Sequence, residues 1–173
     1  ANGVLVATVL DTGARDLLAG TDFQFTPKNV QLVIDGENAG ITQFGTNQAD
    51  TLSAKGSQPN IISGLNGNDI IDGKAGDDTL YGDNGNDFLM GNGGQDSLYG
   101  GNGSDILMSG NGDDILVGGN GDDLLVGGRG DDVLTGGRGA DIFRFGPNQG
   151  VDRVTDYDVG VDQLQLEVAN RQV

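Results

Sequence analysis

Aspartate recurs every nine residues without a slip, at Asp69, Asp78, Asp87, Asp96, Asp105, Asp114, Asp123, Asp132 and Asp141. A file of carboxylate oxygens this regular is a supply of hard ligands, suited to Ca²⁺ far better than to a transition metal. The remaining composition closes off other chemistry. The 173 residues include no His and no Cys, which excludes a structural zinc site, a haem, a disulfide, a cysteine nucleophile and a Ser-His-Asp triad. Acids outnumber Lys and Arg by 26 to 9, a formal charge of −17. Such a surface repels phosphate backbones and anionic lipids, so no nucleic acid is expected as a partner. Only Glu37 and Glu167 are glutamates, whereas an acidic helical or disordered tail normally uses more Glu. No run approaches the ~20 apolar residues that cross a bilayer, so no membrane span is expected.

The elements that position these aspartates are legible in the same register. Two residues after each comes a large apolar side chain: Ile71, Leu80, Leu89, Leu98, Leu107, Leu116, Leu125, Leu134 and Phe143. Ahead of each lies a glycine-rich turn, as in Gly118-Gly119-Asn120-Gly121-Asp122-Asp123. The block from Gly64 to Arg144 is thus nine units of nine residues. Upstream, Gly45 to Ser53 matches weakly through Asp50 and Leu52, and a ten-residue unit follows in which Asn60 replaces the acid. These two units read as a degenerate start to the array. The 33 glycines also argue against a helical bundle.

The units resemble the repeats-in-toxin (RTX, haemolysin-type) family, whose nonapeptide Gly-Gly-x-Gly-x-Asp-x-large apolar-x forms a calcium-loaded parallel β-roll. The match covers about half the chain, and nine copies in register make it specific. The resemblance implies a calcium-binding module. It also implies a closing segment after the repeats, here 145–173, in which Asp152, Asp156 and Asp162 are candidate ligands. Family members exported in one step usually carry their signal at the extreme C-terminus. Only seven residues follow Leu166, so that signal is expected to be short, divergent or absent.

The physical reading runs beside the resemblance. Six residues rich in Gly, Asn and Asp turn sharply, because they tolerate positive φ, and the three that follow suit a short strand. Two units make one coil of eighteen residues, stacking two parallel sheets with the apolar residue of each unit inward. Turns on one side then carry Asp69, Asp87, Asp105, Asp123 and Asp141, and turns on the other carry Asp78, Asp96, Asp114 and Asp132. Neighbouring turns ~4.8 Å apart place a midway cation ~2.4 Å from each carboxylate, inside the Ca–O range. Counting the gaps gives about seven sites, within a range of about six to nine if Asp50 and Asn60 extend the array. Seven Ca²⁺ would bring the formal −17 to about −3. So thin a core cannot offset the entropy of ordering so many glycines, so folding and Ca²⁺ binding are expected to be one event.

Beside each inward residue two others should point outward, where a plain roll is polar. On one sheet they include Ile70, Phe88, Met90, Ile106, Met108, Leu124, Val126 and Ile142. A stripe of this size exceeds what a soluble monomer normally leaves bare, so it is expected to be covered by residues 1–44 or by another protein, self-assembly included. The other sheet, with Thr79, Tyr81, Ser97 and Tyr99 among its outward residues, is milder. Residues 1–44 do not match the repeat. Val4 to Leu10, Asp22 to Phe25 and Val30 to Ile34 have strand-rich composition, with turns at Asp11-Thr12-Gly13 and Asp35-Gly36. The start at Ala1 lacks a signal-peptide pattern and reads as a processed or excised end.

Asp11-Thr12-Gly13 resembles an aspartic protease loop, but one copy without a barrel-sized lobe is a turn. Arg129-Gly130-Asp131 follows repeat phase, and the sequon Asn102-Gly103-Ser104 lies in an expected ion-binding turn. The expected fold is therefore all-β: a right-handed parallel β-roll over 45–144, a strand-rich N-terminal cap over 1–44 and a closing segment over 145–173. The expected function is non-enzymatic, a calcium-binding protein of structural or assembly type, secreted or at the cell surface. The alternative is the C-terminal folding and secretion module of a larger exoenzyme such as a protease, lipase or polysaccharide epimerase.

Overall fold

The computed structural model describes residues 40–147 and 149–167. The strands expected between Val4 and Ile34, and the residues after Glu167, lie outside them. The described residues form two parallel sheets of seven strands each. One, the Thr79 sheet, stacks β1 (Thr42–Phe44), β3 (Ile61–Ser63), β5 (Thr79–Asn84), β7 (Ser97–Asn102), β9 (Ile115–Asn120), β11 (Val133–Arg138) and β13 (Arg153–Val154) in that order. The other, the Ile70 sheet, stacks β2 (Thr51–Ser53), β4 (Ile70–Asp72), β6 (Phe88–Gly93), β8 (Ile106–Asn111), β10 (Leu124–Arg129), β12 (Ile142–Phe145) and β14 (Gln163–Leu166). Successive strands alternate between the sheets, so the chain winds as a β-roll of about seven turns.

The register is that of an eighteen-residue coil. Leu80 pairs with Leu98 and Leu98 with Leu116 in one sheet, while Leu89 pairs with Leu107 and Leu107 with Leu125 in the other. The inward file from Ile62 and Ile71 through Leu134 to Phe143 is fully buried. Each such side chain contributes about 2–3 kcal/mol by leaving water. One per nine residues is a narrow core, a single column between two sheets.

The strands differ from the expected three residues. From β5 to β11 each runs for six. The Gly-Gly-x segment after the apolar triplet continues to pair coil to coil, with Gly101 opposite Gly119 and Asn102 opposite Asn120. Backbone N–H groups without bulky side chains stack at strand spacing even where the chain bends. Gly85 N–H donates to the Asn102 carbonyl and Gly103 N–H to the Asn120 carbonyl, both at 2.8 Å. Only three residues per unit are left for the corner, and Gly121, with φ of 127°, shows why its fourth position is glycine.

Both ends of the stack carry irregular rungs. Thr42–Phe44 is already a strand of the Thr79 sheet, ahead of the boundary expected at 45, and its inward position is polar Gln43 opposite Ile62. At the far end β13 and β14 each add one strand, with Leu164 in register with Phe143 and about half exposed. The outward residues Ile70, Ile106 and Met108 of the Ile70 sheet remain about two-fifths exposed, while Phe88, Met90, Leu124, Val126 and Ile142 are half-buried. On the opposite face Tyr81 and Tyr99 stack with ring centroids 5.0 Å apart.

Candidate metal centre

Each unit from Gly64 onward sets its aspartate at position six, where the corner hands the chain to the next strand. The carboxylate points inward and is buried: all nine repeat aspartates from Asp69 to Asp141 are 1–2% exposed. One oxygen has a structural partner. Oδ1 of Asp87 accepts the backbone N–H of Asp69 at 2.7 Å, Oδ1 of Asp105 that of Asp87 at 2.7 Å, and Oδ1 of Asp141 that of Asp123 at 2.9 Å. The second file repeats the pattern, with Asp96 accepting from Asp78 at 2.8 Å and Asp132 from Asp114 at 2.9 Å. Every carboxylate thus holds the corner of the coil before it.

The other oxygen has none. Among the described residues, Oδ2 of Asp69, Asp78, Asp87, Asp96, Asp105, Asp114, Asp123 and Asp132 is buried without a hydrogen-bond partner. A buried anionic oxygen is costly unless a countercharge or donor meets it. Burial accordingly pushes these acids above the usual 3.8: Asp69 and Asp87 to about 6, and Asp96, Asp123 and Asp132 to about 7. Asp78, Asp105, Asp114, Asp141 and Asp152 shift the same way, also chiefly by burial. The N–H bond to each of these aspartates opposes the shift, and repulsion along the file, as between Asp96 and its neighbours Asp114 and Asp78, adds to it.

The space before seven of the eight orphaned oxygens is kept open by glycine at position one; before Asp114 the residue is Ser109. A methyl group added to Gly100 would press on Oδ2 of Asp105 and lie 2.6 Å from the carbonyl oxygen of Gly118, one coil on. Gly82 faces Asp87 and the Gly100 carbonyl in the same way, and Gly118 faces Asp123 and the Gly136 carbonyl. The cradle therefore combines a carboxylate oxygen with backbone carbonyl, an all-oxygen donor set of the kind Ca²⁺ prefers. No group of three or more acidic side chains that could hold a metal is present among the described residues, so backbone oxygens must supply most of any cation's shell.

The outlying candidates divide. Asp50 joins the file by donating its N–H to Oδ1 of Asp69 at 2.7 Å, but its own Oδ2 is taken by the backbone N–H and hydroxyl of Thr46 at 2.6 and 2.8 Å. Asn60 is fully bonded: Oδ1 accepts from Ile41 N–H, and Nδ2 donates to Asp78 Oδ1 and to the Gln58 carbonyl. Asp152 and Asp162 extend the two files, accepting the N–H groups of Asp132 at 3.1 Å and Asp141 at 3.0 Å. Asp162 Oδ2 is occupied by Asp158 N–H. Asp156 stands off the files and accepts from the N–H groups of Gly136 and Gly137.

Two further ladders went unread in the sequence. At position three, Asn84 donates its amide to Asn66, Asn102 to Asn84 and Asn120 to Asn102. At position five, side-chain oxygens accept corner N–H groups of the next coil, as Asp113 does from Asp131 and Asp122 from Ala140. The Asn66 ladder repeats every eighteen residues, and position three of the other units includes Ala75, Gly93, Arg129 and Arg138, which hides it from a search at period nine.

No curated protein matches the chain at a significant level. A family profile for the RTX calcium-binding nonapeptide repeat matches in four copies, at residues 44–80, 56–89, 81–116 and 117–148. The copies together span more than half of the chain and coincide with the stacked rungs and the buried aspartate files. The chain belongs to the RTX calcium-binding nonapeptide repeat family, as a calcium-binding repeat protein built as a parallel β-roll.

Proposed function

We propose that this chain is a non-enzymatic module of structural or assembly type that folds when Ca²⁺ loads its two aspartate files outside the cell. The observation that carries this reading is the set of eight buried, unpartnered Oδ2 atoms, seven of them beside cradles that glycine opens. A cation shared between successive coils answers each orphan and turns repulsion along the file into attraction. The ligands are Asp69, Asp87, Asp105, Asp123 and Asp141 on one side and Asp78, Asp96, Asp114 and Asp132 on the other. Gaps between these nine give about seven sites, and the eight orphans allow about one more. Asn60 and Asp162, whose side-chain oxygens are all bonded, and Asp50, whose Oδ2 is held by Thr46, serve as terminal caps to the files.

Binding free energy then becomes folding free energy, so the low calcium of a cytosol leaves the repeats unfolded and an extracellular calcium level folds them. Once folded, the Ile70 sheet offers an apolar strip for docking to another protein surface, a second copy included. Far-UV circular dichroism during a calcium titration, with stoichiometry by calorimetry, tests the reading. The expected result is a cooperative gain of β signal at about seven to eight Ca²⁺ per chain. A β-rich spectrum unchanged in excess chelator defeats it. Light scattering in the same titration reads self-association, which Met108→Lys should suppress if the Ile70 sheet is the contact.

A further inference from the structure

Position one of the repeat is glycine in eight of the nine regular units and serine in the other, at Ser109. Ser109 is fully buried, and its hydroxyl donates to the carbonyl oxygen of Gly127 at 2.6 Å. In the glycine units that carbonyl direction is open: a methyl group added at Gly118 would lie 2.6 Å from the equivalent oxygen of Gly136. The serine side chain therefore fills, in its own unit, the space that glycine leaves between the carboxylate and the next coil. Its hydroxyl proton also engages an oxygen that faces the cradle. Asp114, the acid of this unit, still has Oδ2 buried and unpartnered.

Ala54 supplies the comparison. It occupies the same place in its unit, its N–H donating to the Asp72 carbonyl at 2.8 Å as Gly73 N–H does to that of Met90. There the side-chain carbon accompanies the loss of the acid, because Asn60 stands in the file and is fully bonded. At Ser109 the cradle is narrowed while the charge is retained. A calcium ion needs about six to eight oxygens at 2.3–2.6 Å, so lost room and a carbonyl already bonded both weaken the site.

We infer that the cradle formed by Ser109, Asp114 and the Gly127 carbonyl is the weakest cation site of the roll, the last to fill as calcium rises and the first to empty. The inference rests on the reading that the Oδ2 files hold the ions. It makes the array uneven by sequence, with a release point in the middle of the Asp78 file.

The experiment is a calorimetric Ca²⁺ titration of the full chain as wild type, Ser109→Gly, Ser109→Ala and Asp105→Asn, with circular dichroism on each. The expected wild-type isotherm has one site weaker than the rest. Ser109→Gly should tighten that site about tenfold and merge it with the others. Ser109→Ala should stay weak, because its methyl group still occupies the cradle. Unchanged or weakened binding in Ser109→Gly overturns the inference. So does an affinity in Ser109→Ala below that of wild type, which would make the hydroxyl a ligand. If wild type takes up no stoichiometric calcium, or Asp105→Asn loses none, the parent reading falls and this one with it. Loss of a site in Asp105→Asn with no gain in Ser109→Gly defeats this inference alone.

Discussion

The backbone N–H of Asp105 donates to Oδ1 of Asp123 at 2.8 Å across one full coil, while Oδ2 of the same Asp123 is buried without a partner. One carboxylate thus serves two functions that substitution separates. Asn at 123 keeps an acceptor for Asp105 and removes the charge. Ala removes both.

Asp123→Asn should raise the calcium concentration at the circular dichroism midpoint, and should also increase the residual β signal in chelator, because a buried charge is gone. Asp123→Ala should lose calcium affinity likewise and destabilise the loaded roll by a further 1–3 kcal/mol or about that, since the N–H of Asp105 is left bare. Equal behaviour of the two variants in urea unfolding at saturating calcium would contradict the assignment of Oδ1.

Acid should substitute in part for calcium. Asp96, Asp123 and Asp132 are pushed to about 7, chiefly by burial, against an ordinary value of 3.8. Between these limits the folded, calcium-free roll binds more protons than the unfolded chain. Its stability is therefore greatest below about pH 4 and declines as pH rises through 7. In chelator, β signal should grow as pH falls from 8 to 5, and calcium affinity should fall over the same interval as protons compete for the carboxylates. A chelated sample that gains β signal with rising pH would refute the sign.

Leu107→Ala removes a fully buried side chain that pairs with Leu89 on one side and Leu125 on the other. The single-file core has no second layer to collapse into the gap. The expected loss is about 3–4 kcal/mol at saturating calcium, read by urea unfolding, with a matching rise in the calcium needed to fold. A change below about 1 kcal/mol would mean that the column is not the core.

Gly121→Ala should be at least as harmful although it adds only one methyl group. The residue has φ of 127°, and a Cβ there would run into the carbonyl of Gly103 in the coil below. About 3 kcal/mol or more is expected. Leu65→Gly is the opposite case: its φ of 76° is unfavourable for leucine, so the exchange should change stability by less than about 1 kcal/mol.

The sequence carried the large features because side-chain chemistry repeats at a fixed phase. Leu98 and Asp96 mark what must point inward, and eighteen residues per coil follow from two alternating sheets. The features it hid depend on backbone that carries no such signal. Six-residue strands arise because Gly101 and Gly119 pair as backbone alone, and neither has a side chain to announce it. Which oxygen of Asp87 meets the N–H of Asp69 is decided by the corner geometry, not by residue type. Asp156 looked like the ladder acids, yet a shifted loop turns its carboxylate to Gly136 and Gly137. Ser109 was lost among glycines, since one hydroxyl matters only once the Gly127 carbonyl is known to face it.

The ten-residue unit has an effect of its own. Between identical nonapeptides, a chain displaced by one turn still lays Leu on Leu and Asp on Asp, so slippage would be nearly silent. Across the longer unit the span changes: the Asp50 N–H reaches Asp69 over nineteen residues, whereas the Asp69 N–H reaches Asp87 over eighteen. At the other terminus the spans lengthen again, to twenty for Asp132 with Asp152 and twenty-one for Asp141 with Asp162. A displaced winding would set unequal loops against each other and strand a backbone amide at both extremities. The irregular units act as keys, giving a monotonous thread one frame in which it closes.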